Sequence, residues 1–175
     1  MKNKFENEIV YITGASAGIG YATAELCLSY GATVVITGRN KENLEQANKN
    51  LLKISPKVIA HNVDVSNESQ IVDSLKEIYK SYGKIDGLIN NAPSIHTGRI
   101  IDLDLDAWRT NFKANLDAVF LATKTVLPWM QDAKKGAIVN IASVVGLKGV
   151  AYWGIYCSTR TSFIGFLERS TFRTP

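Results

Sequence analysis

Tyr11-Ile-Thr-Gly-Ala-Ser-Ala-Gly-Ile-Gly-Tyr21 is the stretch on which the reading of this chain turns. Ile9, Val10, Tyr11 and Ile12 form a short apolar run of the buried-strand kind. Gly14, Gly18 and Gly20 then break the chain, and Ala22, Ala24, Leu26 and Leu28 space out a helix that stops at Gly31. Glycine serves two ends in such a turn. It reaches backbone angles that a Cβ would forbid, and it lets a phosphate approach the main chain. The following helix offers free N–H groups and the positive end of its dipole, which suits a diphosphate. Ile19 and Gly20 sit at that helix start. The stretch therefore predicts a dinucleotide-binding turn between the first strand and first helix of a doubly wound sheet.

Gly14-Ala-Ser-Ala-Gly18 also spells G-x-S-x-G, the nucleophile elbow of α/β-hydrolases. That fold needs a strand carrying oxyanion donors upstream and a histidine late in the chain. Almost nothing lies upstream here, and the only histidines, His61 and His96, both come early. The hydrolase reading is set aside. His61 reads as packing or surface, and His96 receives no role.

Outward from the turn, strand and helix alternate. Ala32-Thr-Val-Val-Ile36 is a second buried strand ending at Gly38-Arg39-Asn40. A helix over residues 41–53 and a break at Pro56 lead to a third strand near 57–63, which delivers Asp64-Val65. Ser66 or Asn67 caps a helix ending at Gly83. Ile85–Ile89 is a fourth strand, running into Asn90-Asn91-Ala92-Pro93. The next helix carries Trp108, Phe112, Leu116, Phe120 and Leu127, spaced for one buried stripe. A fifth strand spans 136–142, and a last helix begins near Trp153.

Every strand is an apolar run rather than an alternating one, which predicts an α/β fold: a doubly wound, parallel, three-layer sheet with helices on both faces. About five strands are present, within one Rossmann-like domain over residues 1–175. Ligands in such sheets lie beyond the carboxyl ends of the strands. That edge receives Gly14 to Gly20, Arg39, Asp64, Asn91 and Ser143.

Bulk properties exclude other classes. The net charge of +4 is mild and no Lys/Arg stripe forms, so no nucleic-acid partner is expected. No apolar run approaches the ~20 residues needed to span a bilayer, and residues 1–8 lack the apolar core of a signal peptide. Cys27 and Cys157 read as unrelated thiols, and a reducing, cytoplasmic setting is the simplest account.

Taken together, these motifs resemble the short-chain dehydrogenase/reductase family, from the N-terminus to about Gly165. Thr13-Gly-Ala-Ser-Ala-Gly-Ile-Gly20 is similar to the family's T-G-x-x-x-G-x-G. Asp64-Val65 matches the pair that meets the adenine, Asn90-Asn91-Ala92 the start of N-N-A-G, and Asn115 the helix asparagine. Ser143 and Tyr156 stand where the catalytic serine and the tyrosine of Y-x-x-x-K belong. The resemblance implies hydride transfer between a nicotinamide and a small carbonyl or secondary alcohol. Tyr156 exchanges the proton, Ser143 holds the substrate oxygen, Asn115 holds a water, and a cation at position 160 supports the tyrosine and the nicotinamide ribose. It also implies a homo-oligomer built through the helices bearing Asn115 and Tyr156.

Cofactor choice follows from the end of the second strand. An acidic residue there would repel a 2′-phosphate, but this chain has Gly38 and Arg39, with Ser16 able to add a hydroxyl. A guanidinium partners a phosphate dianion, so NADP(H) is expected over NAD(H).

Three features depart from the family pattern. Arg160 replaces the lysine; it keeps the charge but releases no proton near neutrality. Weak turnover, improved by Arg160→Lys, is the expectation. Pro93 replaces the glycine of N-N-A-G and restrains Ala92 before it. The family's last strands are missing after the Tyr156 helix, so the domain reads as incomplete at its C-terminus. These departures support a second reading, a non-catalytic relative that binds a dinucleotide or only keeps the scaffold.

Overall fold

The computed structural model describes residues 4–169, which form one parallel sheet with helices on both faces. β1 (Ile9–Ile12), β2 (Thr33–Gly38), β3 (Val58–Asn62), β4 (Gly87–Asn90) and β5 (Ala137–Asn140) stand in the order β3-β2-β1-β4-β5. The order reverses at β1, so the crevice between β1 and β4 is where such a sheet takes a ligand.

Side-chain alternation along β1 splits the core. Val10 and Ile12 face α1 (Gly18–Ser29) and α2 (Lys41–Leu51), joining Ala24, Leu28, Val34, Ile36 and Leu44. Ile9 and Tyr11 face the other way, against Ile71 and Leu75 of α3 (Glu68–Tyr82) and Val126 of α5 (Ala118–Asp132). Each fully buried branched side chain contributes about 1.5–3 kcal/mol of transfer free energy. Tyr11 is the polar exception in this layer. Its hydroxyl meets Ser74 Oγ at 2.7 Å, and Ser74 Oγ meets His61 Nδ1 at 2.9 Å. Burial pushes the Tyr11 phenol well above its ordinary range. His61 is thus a packing residue.

The helix boundaries follow local chemistry. Asn67, not Ser66, caps α3 by accepting from the amides of Ser69 and Gln70, and Gly83 closes it in the left-handed region. Asn40 caps α2 through the Asn43 amide.

The helix after β4 differs from the sequence expectation. It runs as α4 (Leu105–Phe112), a π-helical turn at Lys113–Asp117, and α5. Trp108 and Phe120 lie on the exposed side, whereas Asn111, Ala114, Asn115, Ala118, Ala122 and Val126 are buried. The inward face of this helix is made of small residues that admit close packing, and the π turn rotates the stripe between its two halves. α6 (Gly154–Arg169) then packs on the same layer. Among the described residues β5 forms one edge of the sheet, with Val139 48% exposed.

Candidate active site

A cavity of about 600 Å3 opens along the carboxyl ends of the strands. Its floor is the turn after β1. Gly14 has φ +65°, and a Cβ there would fall 2.6 Å from Ala92 Cα. Gly20 is pressed by Asn91, whose Nδ2 a Cβ would meet at 2.5 Å. Both glycines therefore let the β4 loop close onto the turn. Asn91 locks the arrangement, donating from Nδ2 to the carbonyls of Thr13 (3.0 Å) and Gly14 (2.9 Å). The Thr13 hydroxyl in turn accepts from the amides of Asn91 and Ala92. Pro93 follows within this same tied segment and lines the cavity.

Most sequence-predicted residues line this one cavity: Gly14, Ser16, Gly18, Ile19, Arg39, Asp64, Val65, Asn91, Ser143 and Tyr156. Gly20 lies behind the wall, serving the turn. The N-cap of α1 is Ala17, which makes no side-chain capping bond. The first amides of α1 thus keep their donors and the helix its positive end, at a wall formed by Gly18 and Ile19. This fits the diphosphate of a dinucleotide. Among the described residues, Arg39 is the only basic side chain lining the cavity and Asp64 the only acidic one. Gly38 leaves room for Ser16, whose Oγ would lie 3.2 Å from a Cβ at that position. Asp64 Oδ1 accepts from the Ser66 amide and hydroxyl, which fixes the loop after β3.

At the other end, Ser143 follows β5 and opens a short 3-10 turn, accepting from the Val145 amide at 3.4 Å. Tyr156 comes from the first turn of α6, 7% exposed, with its ring edge-on to Trp153. Ser143 and Tyr156 line one cavity from different elements, a placement that acid–base chemistry on a single oxygen would use.

Besides Gly20, two predicted residues stand outside the wall, Asn115 and Arg160. Asn115 is fully buried in the π turn. Its Oδ1 accepts from the Ser94 amide at 2.8 Å, and its Nδ2, with two hydrogens, lies within bonding reach of three acceptors: the Ser94 carbonyl at 2.7 Å, Asn111 Oδ1 at 3.0 Å and Thr159 Oγ1 at 3.2 Å. Arg160 is 4% exposed and lies one turn beyond Tyr156, with its guanidinium 5.0 Å from the Tyr156 ring centroid.

Sequence reasoning missed Asn40, Asn43, Ser94 and Thr110, which also line the cavity. It also missed Asn62, which donates from Nδ2 to the carbonyls of Gly38 (2.7 Å) and Arg39 (3.1 Å). The capping position of Asn40 before Lys41 was a legible signal; the others carry none in one sequence. His96, given no role, hydrogen-bonds Asn111.

Comparison with known proteins agrees with this geometry. A family model described as short chain dehydrogenase matches residues 8–173. The 3-oxoacyl-(acyl-carrier-protein) reductase FabG of Thermotoga maritima is 33% identical over 165 residues, covering 94% of this chain and 67% of the relative. The 2-(S)-hydroxypropyl-CoM dehydrogenase 3 of Xanthobacter autotrophicus is 32% identical, covering 97% and 66%. This chain thus spans about two thirds of these relatives' length. Among solved structures, a metagenomic short-chain oxidoreductase in complex with NADP superposes with a TM-score of 0.89 at 29% identity, over 94% of this chain and 75% of the other. A short-chain dehydrogenase/reductase from Burkholderia phymatum in complex with NAD gives 0.90 at 28% identity, over 96% and 60%. By sheet order, phosphate turn and family match alike, this chain belongs to the short-chain dehydrogenase family.

Proposed function

We propose that this chain binds NADP(H) across the carboxyl ends of β1 to β5 and transfers a hydride between it and a small carbonyl or secondary alcohol. The observation that carries the reading is the shared cavity: the uncapped start of α1, Arg39, Ser143 and Tyr156 all line it. The dinucleotide, when bound, supplies or accepts the hydride. The chain's own residues do the rest. Amides near Ile19 hold the diphosphate, Asp64 and Val65 border the adenine, and Asn91 steadies the floor. Ser143 donates a hydrogen bond to the substrate oxygen and fixes it. Tyr156 gives that oxygen a proton during reduction and takes it back during oxidation.

Arg39 and Ser16 support NADP(H) over NAD(H), because a guanidinium and a hydroxyl suit a 2′-phosphate. The solved relatives include complexes of each kind and do not choose between them. Arg160 and Asn115 support Tyr156 and the Ser94 loop from behind the wall. Exposed Leu105, Trp108 and Phe120 on α4 and α5 support a homo-oligomer formed through the helices of Asn115 and Tyr156. Two free, buried cysteines support a reducing, cytoplasmic setting; among the described residues no helix is long and apolar enough to cross a membrane.

NADPH fluorescence on binding, followed by its oxidation against a panel of ketones and 3-oxoacyl esters, tests the reading. Saturable binding with turnover is the expected result. Binding without turnover supports the non-catalytic alternative. Absence of binding by folded protein rejects the oxidoreductase and leaves the chain as a scaffold alone.

A further inference from the structure

Arg160 occupies the position at which the family pattern places a lysine, yet it does not line the cavity. Its guanidinium carbon lies over two rings, 5.0 Å from the Tyr156 centroid and 5.4 Å from that of Phe163. Nη1 donates to the Ile141 carbonyl and Nη2 to Asn115 Oδ1, both at 3.4 Å. Nε is buried without a partner, and among the described residues no carboxylate pairs with the charge. Burying an ion this way is costly unless aromatic faces and oxygen dipoles offset it.

The orientation of the Asn115 amide is unambiguous, since Ser94 both donates to its Oδ1 and accepts from its Nδ2. Arg160 therefore shares one acceptor with the Ser94 amide. Ser94 is on the cavity wall, and the Ile141 carbonyl lies two residues before Ser143. One buried cation thus touches the β4 loop through Asn115, the end of β5, and the face of Tyr156.

We propose that Arg160 is a positioning residue: it does not reach the dinucleotide, but ties the Ser94 loop, the Ser143 strand end and Tyr156 into one frame. This reverses the expectation that Arg160 holds a ribose and that lysine would improve it. An ammonium is a compact point charge on an unforked stem. It lacks the two separate nitrogens through which Arg160 reaches the Ile141 carbonyl and Asn115 Oδ1. The kinetic part rests on the proposed oxidoreductase reading; the framing part does not.

The test uses the full chain as wild type, Arg160→Met and Arg160→Lys. Amide hydrogen exchange is followed in peptides covering 91–96 and 141–145, with β1 as internal reference. Arg160→Met is expected to speed exchange in those two peptides by about tenfold while β1 is unchanged. NADPH Kd is expected to stay within about threefold of wild type in both variants. Turnover is expected to fall by about tenfold or more with KM for NADPH held, and lysine not to restore it. A Kd raised about tenfold with unchanged exchange would mean that Arg160 touches the dinucleotide, and overturns the proposal. Unchanged exchange alone also overturns it, as does full turnover in Arg160→Lys. If wild type binds no NADPH, the oxidoreductase reading fails while the exchange comparison still decides this one. If Arg160→Met does not fold, Arg160→Lys carries the same comparison.

Discussion

Asn62 and Arg39 are joined through the main chain: the Asn62 amide donates to the Arg39 carbonyl at 3.1 Å and to the preceding Gly38 carbonyl at 2.7 Å. The last rung of the β2–β3 ladder, Gly38 against Asn62, is thereby extended by a side chain. The segment from which Arg39 springs is held while its side chain lines the cavity. Asn62→Ala should raise KM for NADPH by about threefold to tenfold and that for NADH by less, since the lost bonds contribute about 1 kcal/mol. Steady-state kinetics with both nucleotides checks this. Equal effects on the two would detach Asn62 from cofactor choice.

Arg39→Asp should reverse the preference itself. Among the described residues it removes the only basic side chain lining the cavity, and it sets a carboxylate against a 2′-phosphate. The NADPH/NADH ratio of kcat/KM should fall by about a hundredfold or more, because charge-assisted hydrogen bonds to the phosphate give way to a repulsion. An unchanged ratio would place Arg39 in solvent.

Ser74→Ala should destabilise the fold away from the cavity. Ser74 Oγ is the partner of both the Tyr11 hydroxyl and His61 Nδ1. Its removal strands a buried phenol, at a cost of about 1–3 kcal/mol. In urea unfolding, the Ser74→Ala/Tyr11→Phe double variant should recover part of that loss, because no hydroxyl is then left unpaired. A double variant no more stable than Ser74→Ala would show the bond to be idle.

Acid should weaken the opposite end of the sheet through Asp86. Burial raises its carboxyl, but the Lys84 bond, the Ile9 amide and the charges of Lys84 and Lys135 outweigh this and hold it below its ordinary value. A carboxyl lowered in the folded state stabilises fully above its unfolded pKa and loses that contribution as pH falls through the folded one. Asp86→Asn should therefore cost about 1–3 kcal/mol at neutral pH, with the gap to wild type closing below pH ~4. A gap that widens on acidification would refute the assignment.

How much of this was legible in the sequence depends on how local the cause was. The phosphate turn was readable because glycine identity, apolar strand and helix start are all nearest-neighbour signals. Ser143 and Tyr156 were readable through the family resemblance, and both line the same cavity. The stripe through Trp108 and Phe120 misled because the π turn at Lys113–Asp117 changes the helical phase between them. No propensity announces such a turn. Asn115 and Arg160 could be located but not interpreted, since their partners, Ser94 and Ile141, lie 21 and 19 residues away.

The outer margin of β5 has a further consequence. Ala137 and Ile141 donate their amides inward, to the carbonyls of Asp86 and Asn90, so the intervening alternate residues, Ile138 and Asn140, turn theirs outward. From Ala137 to Ala142 the strand carries neither charge nor proline, the usual means by which an open margin is kept from templating another chain. A concentrated sample of this polypeptide therefore presents a ready-made seam, and its scattering should climb with concentration while its circular dichroism stays constant.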